Sequence, residues 1–77
     1  MTYREFWALV DEVLGRAQGR VLVRELVLGP VGDRTAQAAL DDGVPPREVW
    51  HALCDALEVP DARRFGASHR PAPPRRR

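Results

Sequence analysis

Apolar side chains recur at Tyr3, Phe6, Trp7, Val10, Val13 and Leu14, offsets of 0, 3, 4, 7, 10 and 11, with Arg4, Glu5, Asp11 and Glu12 falling between them. This is one face of a 3.6-residue period, and it predicts an amphipathic helix over 3–14. Thr2 and Glu5 have the spacing of a capping box, in which two side chains satisfy amides that the first helical turn leaves open. Gly15 stands where such a helix ends. In the next segment, 16–28, the triplets Val21-Leu22-Val23 and Leu26-Val27-Leu28 flank Arg24-Glu25. The i, i+4 pairs Leu22/Leu26 and Val23/Val27 and the failure of strict alternation predict a helix. A buried strand is the alternative, because three of these residues are valines. Gly19 weakens the first turn of that helix by roughly 1 kcal/mol relative to Ala. Gly29-Pro30 ends the segment and Gly32-Asp33 continues the turn.

Thr35 is placed to cap a short helix, Ala36 to Asp41, with Ala39 and Leu40 facing inward and Gly43 breaking it. Pro46 suits the first position of a last helix, where its missing N–H costs nothing, and Glu48 complements the positive end of that helix. Val49, Trp50, Leu53 and Leu57, at offsets of 0, 1, 4 and 8, form its apolar stripe, and Pro60 closes it. The pattern predicts an all-α fold, a small bundle of about four short helices. Ala39 lies four residues before Gly43 and Val49 six residues after it, the spacing of a helix-turn-helix corner.

Charge divides the chain in two. Residues 1–60 hold six Arg against ten acids, a balance of −4, whereas residues 61–77 hold six Arg against Asp61, a balance of +5. A helical domain over 1–60 followed by a disordered Arg/Pro-rich tail over 61–77 is the expected organisation, since from Gly66 onward nothing larger than Ala is apolar. With 77 residues there is room for one domain and little room for a deep substrate cavity. No apolar run approaches the ~20 residues of a membrane span, and no basic-then-apolar leader is seen. One cysteine excludes an internal disulfide framework. A soluble cytoplasmic protein, not associated with membranes, is expected.

Several blocks then read together. They are Glu5-Phe6-Trp7, Gly15-x-Ala17, Gly32-x-Arg34-Thr35, Ala39-Leu40-x-x-Gly43 and Pro46-x-Glu48-Val49-Trp50-x-Ala52-x-Cys54-x-Ala56-Leu57-x-Val59-Pro60. They resemble a family of short actinobacterial proteins, the domain of unknown function 3046 family, over about residues 1–60. The resemblance implies a small helical bundle. It also implies a link to DNA metabolism, through the closeness of such genes to recombination genes, and it implies no activity.

Candidate chemistry is sparse. His51 and Cys54 are three apart on one predicted helix, but two ligands make no zinc site and no third residue completes a nucleophile pair. No metal, no cofactor and no enzymatic activity are expected. The adjacent acids Asp41 and Asp42 point about 100° apart on a helix and do not converge. Gly29-Pro30-Val31-Gly32 lacks the Lys-Ser/Thr of a phosphate loop.

The expected function is that of a non-catalytic binding module docking on a partner protein. Trp50, at the edge of its stripe and expected to be partly exposed, is the candidate anchor, with Arg47 and His51 beside it. Arg63, Arg64, Arg70, Arg75, Arg76 and Arg77 are the candidates for loose, sequence-independent nucleic-acid contact. The alternatives for this tail are solubility or contact with the chain's own acidic body. The competing function is a helix-turn-helix regulator reading DNA through Arg47, Glu48 and His51, against which the net acidity of the body argues.

Overall fold

Thr2 opens the first helix as its spacing requires. Its hydroxyl accepts from the Glu5 amide at 3.1 Å, and the Glu5 carboxylate accepts from the Thr2 amide at 2.8 Å. A computed structural model describes residues 1–64 of the chain, and the expected tail beyond Arg64 lies outside the described residues. Helix α1 spans Tyr3–Leu9 and widens into a π-helical turn over Val10–Leu14. The predicted helix 3–14 is thus realised in two windings. Gly15, at φ +95°, turns the chain into α2, Arg16–Glu25. The crossing between the two is tight at Gly19. A Cβ there would sit 2.8 Å from Val10 Cγ1 and 3.0 Å from the Val10 carbonyl oxygen. Glycine at this position is a packing requirement that outweighs its poor helix propensity.

The helix expected over 16–28 stops at Glu25, and its last three residues are corrected to extended backbone. Val27–Leu28 forms strand β1, paired antiparallel with β2, Arg34–Thr35, with Val27 opposite Thr35 and Leu28 opposite Arg34. The reason lies in which face Leu28 would occupy. On a continued helix it would share a stripe with Val21, Arg24 and Glu25, all exposed. In a strand, Val27 points out and Leu28 turns into the core, where it is almost fully buried. The link between the strands is a 3₁₀ turn, Gly29–Val31, followed by Gly32 at φ +87°. Arg34 folds back over this turn. Its Nε donates to the Val31 carbonyl at 2.7 Å, and its guanidinium pairs with Asp42 at the end of the next helix. The block Gly32-x-Arg34-Thr35 is therefore one structural unit.

Thr35 caps α3, Ala36–Asp41, accepting from the Ala38 amide at 3.1 Å, and Pro46 begins α4, Pro46–Ala56, as expected. Both helices end in the same double hydrogen-bond pattern. After α3, Val44 N donates to Ala39 O and Gly43 N to Leu40 O, with Gly43 at φ +94°. After α4, Val59 N donates to Cys54 O and Glu58 N to Asp55 O, with Glu58 at φ +57°. These are Schellman motifs, and in the second a glutamate occupies the left-handed position that glycine favours. The core is apolar throughout. Phe6, Val10, Val23, Ala36, Ala39, Val49, Trp50, Leu53 and Cys54 are fully buried, and no polar or charged residue among the described ones is. The fold is all-α, four helices with one two-residue hairpin.

Two stability outcomes follow from the backbone. Gly19→Ala should lower stability by about 1–2 kcal/mol in denaturant unfolding, because overpacking a stiff β-branched neighbour outweighs the helix-propensity gain. Unchanged or raised stability would contradict the close crossing. Glu58→Gly should raise stability by about 0.5–1 kcal/mol, since a left-handed non-glycine residue costs ~1–2 kcal/mol and glycine's extra chain entropy takes back part of that. A lowered midpoint would count against the strained C-cap.

Candidate partner-binding surface

The candidate residues belong to α4 and the turn after it, and the helix period sorts them. Val49, Trp50, Leu53 and Cys54 face the core, so Glu48, His51 and Asp55 form the outward stripe, spaced three and four apart, with Arg47 beside Glu48 and Glu58 just beyond the helix end. Glu48, Arg47, Asp55 and Glu58 are exposed, and His51 is half-buried.

Trp50 is not where a docking anchor needs it. Its exposure is 0%, which corrects the expectation of a partly exposed side chain. Its ring meets Phe6 edge-to-face at 6.0 Å, and Phe6 in turn meets Trp7 edge-to-face at 5.4 Å. The indole N–H donates to the Arg64 carbonyl at 2.8 Å. An apolar stripe read from spacing alone shows its edge at Trp50. The segment after α4 covers that edge.

Arg64 itself is drawn into the body. Its Nη2 lies 2.8 Å from the Asp55 carboxylate, its Nε lies 3.3 Å from Asp61, and the same Nε donates to the Val59 carbonyl at 3.0 Å. Its side chain keeps 13% of its exposure, and the hydrogen bond to Asp55 raises its pKa. Past the expected boundary at residue 60, a 3₁₀ turn spans Asp61–Arg63, and Arg64 after it contacts α4 at Trp50 and Asp55. Arg63 is exposed and open to contact, while Arg64 is already engaged. The candidates Arg70, Arg75, Arg76 and Arg77 lie outside the described residues. Composition carried no signal for the role of Arg64, because its partners come from positions 55, 59 and 61 once the Schellman turn has formed.

Cys54 and His51 do not form a pair. Cys54 is fully buried, and burial pushes its thiol up to about 11, so it behaves as a small core residue. No group of three His, Cys, Asp or Glu side chains among the described residues could hold a metal ion. No helix among them is long and apolar enough to cross a membrane.

Helices α3 and α4 pack on one another at this corner. Ala39 and Val49 are fully buried, and Gly43 supplies the left-handed turn. The charge on this corner decides what it can meet. Residues 41–61 carry six acids (Asp41, Asp42, Glu48, Asp55, Glu58 and Asp61) against Arg47, a net −5, whereas residues 1–40 balance at five of each sign. Arg34 pairs with Asp42, and Arg64 with Asp55 and Asp61, so part of this charge is already matched. Helix α2 carries Arg16, Arg20 and Arg24 at i, i+4 and i+8. Arg20 is held by a double hydrogen bond to Asp11, which lowers the Asp11 pKa, and lies 5.0 Å over the Trp7 ring.

Fold and surface define a small all-α domain with an apolar core and exposed acids along its last helix. Residues 1–62 match the family model described as protein of unknown function (DUF3046), and the chain belongs to that family. No curated protein matches the chain, and no solved structure does. The family match ends within the turn that carries Arg64 to Trp50, two residues beyond the stretch that the motifs cover.

Cutting the chain after Pro60 should reduce stability by about 1–3 kcal/mol, since it leaves the buried indole N–H without its acceptor. A chain ending at Arg64 should keep the full helical signal and unfolding midpoint. Equal midpoints for the two truncations, measured by circular dichroism, would show that the Arg64 carbonyl contributes nothing.

Proposed function

We propose that the protein is a non-catalytic binding module of the cytoplasm, whose α4 face docks a basic segment of a partner protein and whose C-terminal arginines add loose nucleic-acid affinity. The observation that carries this reading is the outward stripe Glu48, His51, Asp55 and Glu58, set in a stretch of net −5. A surface of that sign attracts Arg- or Lys-rich chains and steers their approach. The packed apolar interior supports a binding role, because every acid, arginine and histidine of the described body keeps solvent exposure. The partner contact moves from Trp50, which is buried, to the polar side of the same helix.

A helix-turn-helix regulator is the second reading, favoured by the packed corner of Ala39, Gly43 and Val49. It would present α4 to the major groove. Phosphates on both sides of that groove would then face Glu48, Asp55 and Glu58 with Arg47 as the stripe's one strong cation.

One pair of chains separates the readings. The full chain should bind duplex DNA without sequence preference, with log affinity falling against log salt at a slope of about −4 to −5, as phosphate contacts by Arg63, Arg70, Arg75, Arg76 and Arg77 would give. With Arg70, Arg75, Arg76 and Arg77 changed to Ser, the slope should shrink to about −1. That same variant should bind an octa-arginine peptide, shifting the amide resonances of α4, and Glu48→Arg should abolish the shift. Tight, sequence-selective duplex binding by the Ser variant, sensitive to Arg47 and His51, would replace this reading with the regulator. Absence of peptide binding would remove the docking face.

A further inference from the structure

We propose that residues 60–64 form a strap over the Trp50 edge of the core, latched to α4 by Arg64, which opens as one unit while the helical body stays folded. The device is independent of what the α4 face binds.

The strap is defined by how it is tied down. Within it, the Arg63 amide donates to the Pro60 carbonyl at 2.9 Å and the Arg64 amide to the Asp61 carbonyl at 3.2 Å, so the 3₁₀ turn holds its own shape. The Arg64 guanidinium adds its contact with Asp61 and a hydrogen bond back to the Val59 carbonyl. None of these bonds reaches α4. Among the described residues, two polar ties do. The Trp50 indole donates to the Arg64 carbonyl at 2.8 Å, and Arg64 Nη2 lies 2.8 Å from the Asp55 carboxylate. Both ties run through one residue, so displacing Arg64 breaks them together.

Apolar packing adds little to hold the segment. Pro60, Asp61, Ala62 and Arg63 are exposed, and the 3₁₀ turn contains no buried residue. A stretch with exposed side chains and few anchors lies at the low end of local opening free energies. The hinge offers little resistance either. Pro60 has no amide hydrogen to lose, and the Schellman bonds from Glu58 and Val59 to the Asp55 and Cys54 carbonyls lie before it and survive the swing.

What the strap covers gives its opening a consequence. Trp50 is fully buried with its indole N–H turned to the strap, and Cys54, one turn further along the same side of α4, is fully buried too. The Arg64 charge is felt at the Cys54 thiol. Lifting Arg64 therefore uncovers an indole edge and the chain's single thiol together. The latch is electrostatic and within reach of solvent, because Asp55 keeps 66% of its side-chain exposure against 13% for Arg64. Dissolved ions screen it, so opening rises with salt.

The test uses the full chain and two reporters of the strap. One is solvent exchange of the Trp50 indole hydrogen. The other is the reaction of Cys54 with dithiobis-nitrobenzoate, in which the thiolate attacks the reagent's disulfide and releases thionitrobenzoate. Both should report one opening constant, unchanged by urea well below the unfolding midpoint and about tenfold or more above that of the Val10 and Val23 amides. Arg64→Gln and Asp55→Asn each remove the ion pair and should speed both reporters by about tenfold, while Arg63→Gln should leave them unchanged. Salt at about 0.5 M should speed both in the wild type and neither in Arg64→Gln. Val23→Ala weakens the body alone. It should speed the core amides by about tenfold or more and leave both reporters as they were, because the body stays folded when the strap opens.

Reporters that follow urea or Val23→Ala as the core amides do would show that the strap opens only with the whole domain, and would overturn the proposal. Reporters unmoved by Arg64→Gln, by Asp55→Asn or by salt would remove the latch. A thiol and an indole that respond by different factors would show that the segment does not move as one unit. Should Val23→Ala fail to fold, the urea dependence of the wild type decides the same question.

Discussion

A tryptophan indole buried in a domain of this size must bring its polar edge to an acceptor, and the C-terminal part of the described structure is organised around that need. Trp50 supplies the largest fully buried side chain, and its N–H reaches the Arg64 carbonyl. To deliver that carbonyl, the chain has to reverse after α4. The Schellman turn at Glu58 and the 3₁₀ turn at Asp61–Arg63 do this. The reversal in turn brings the Arg64 guanidinium to Asp55 and Asp61. On the other side of the ring, Phe6 and, through it, Trp7 tie α1 to α4. One hydrogen-bond requirement thus links the first helix, the last helix and the point from which the arginine-rich segment departs.

The second constraint is the close crossing at Gly19. Bringing α2 against the π-helical turn at Val10 lets Val23 and Val10 be fully buried in a chain that has little core to spare. The same compactness pushes the charged groups outward. Arginines settle along α2, where Asp11 and Trp7 hold Arg20, and acids settle around α4. Exposed acids held on a packed helix steer the approach of a charged partner, and the functional reading turns on this property.

Among the described residues no acid, arginine or histidine is buried, and Cys54 is a buried thiol whose pKa is raised by its burial. The corner between α3 and α4 has the residue spacing of one that presents a reading helix to DNA, but spacing and charge point in opposite directions. Where they conflict at a polyanion's surface, charge sets the sign of the interaction, and side-chain fit acts only after approach.

Much of the fold was legible along the chain because its signals are local. The capping box at Thr2 and Glu5, the cap at Thr35, Pro46 at a first helical position and the apolar periods of α1 and α4 depend on residues within one or two turns. The charge division was legible too, since net charge is additive and needs no coordinates. What only the tertiary structure decided are the positions where a distant neighbour overrides local preference. Leu28 leaves the helical pattern because the core lies on the other side of it, and Gly19 is required by Val10 rather than tolerated by its helix. Trp50 reads as the margin of a stripe until the backbone of Arg64, fourteen residues later, closes over it. Periodicity records which face of an element is apolar. It holds no record of what covers the edges of that face, because the cover is chosen by the path the chain takes afterwards.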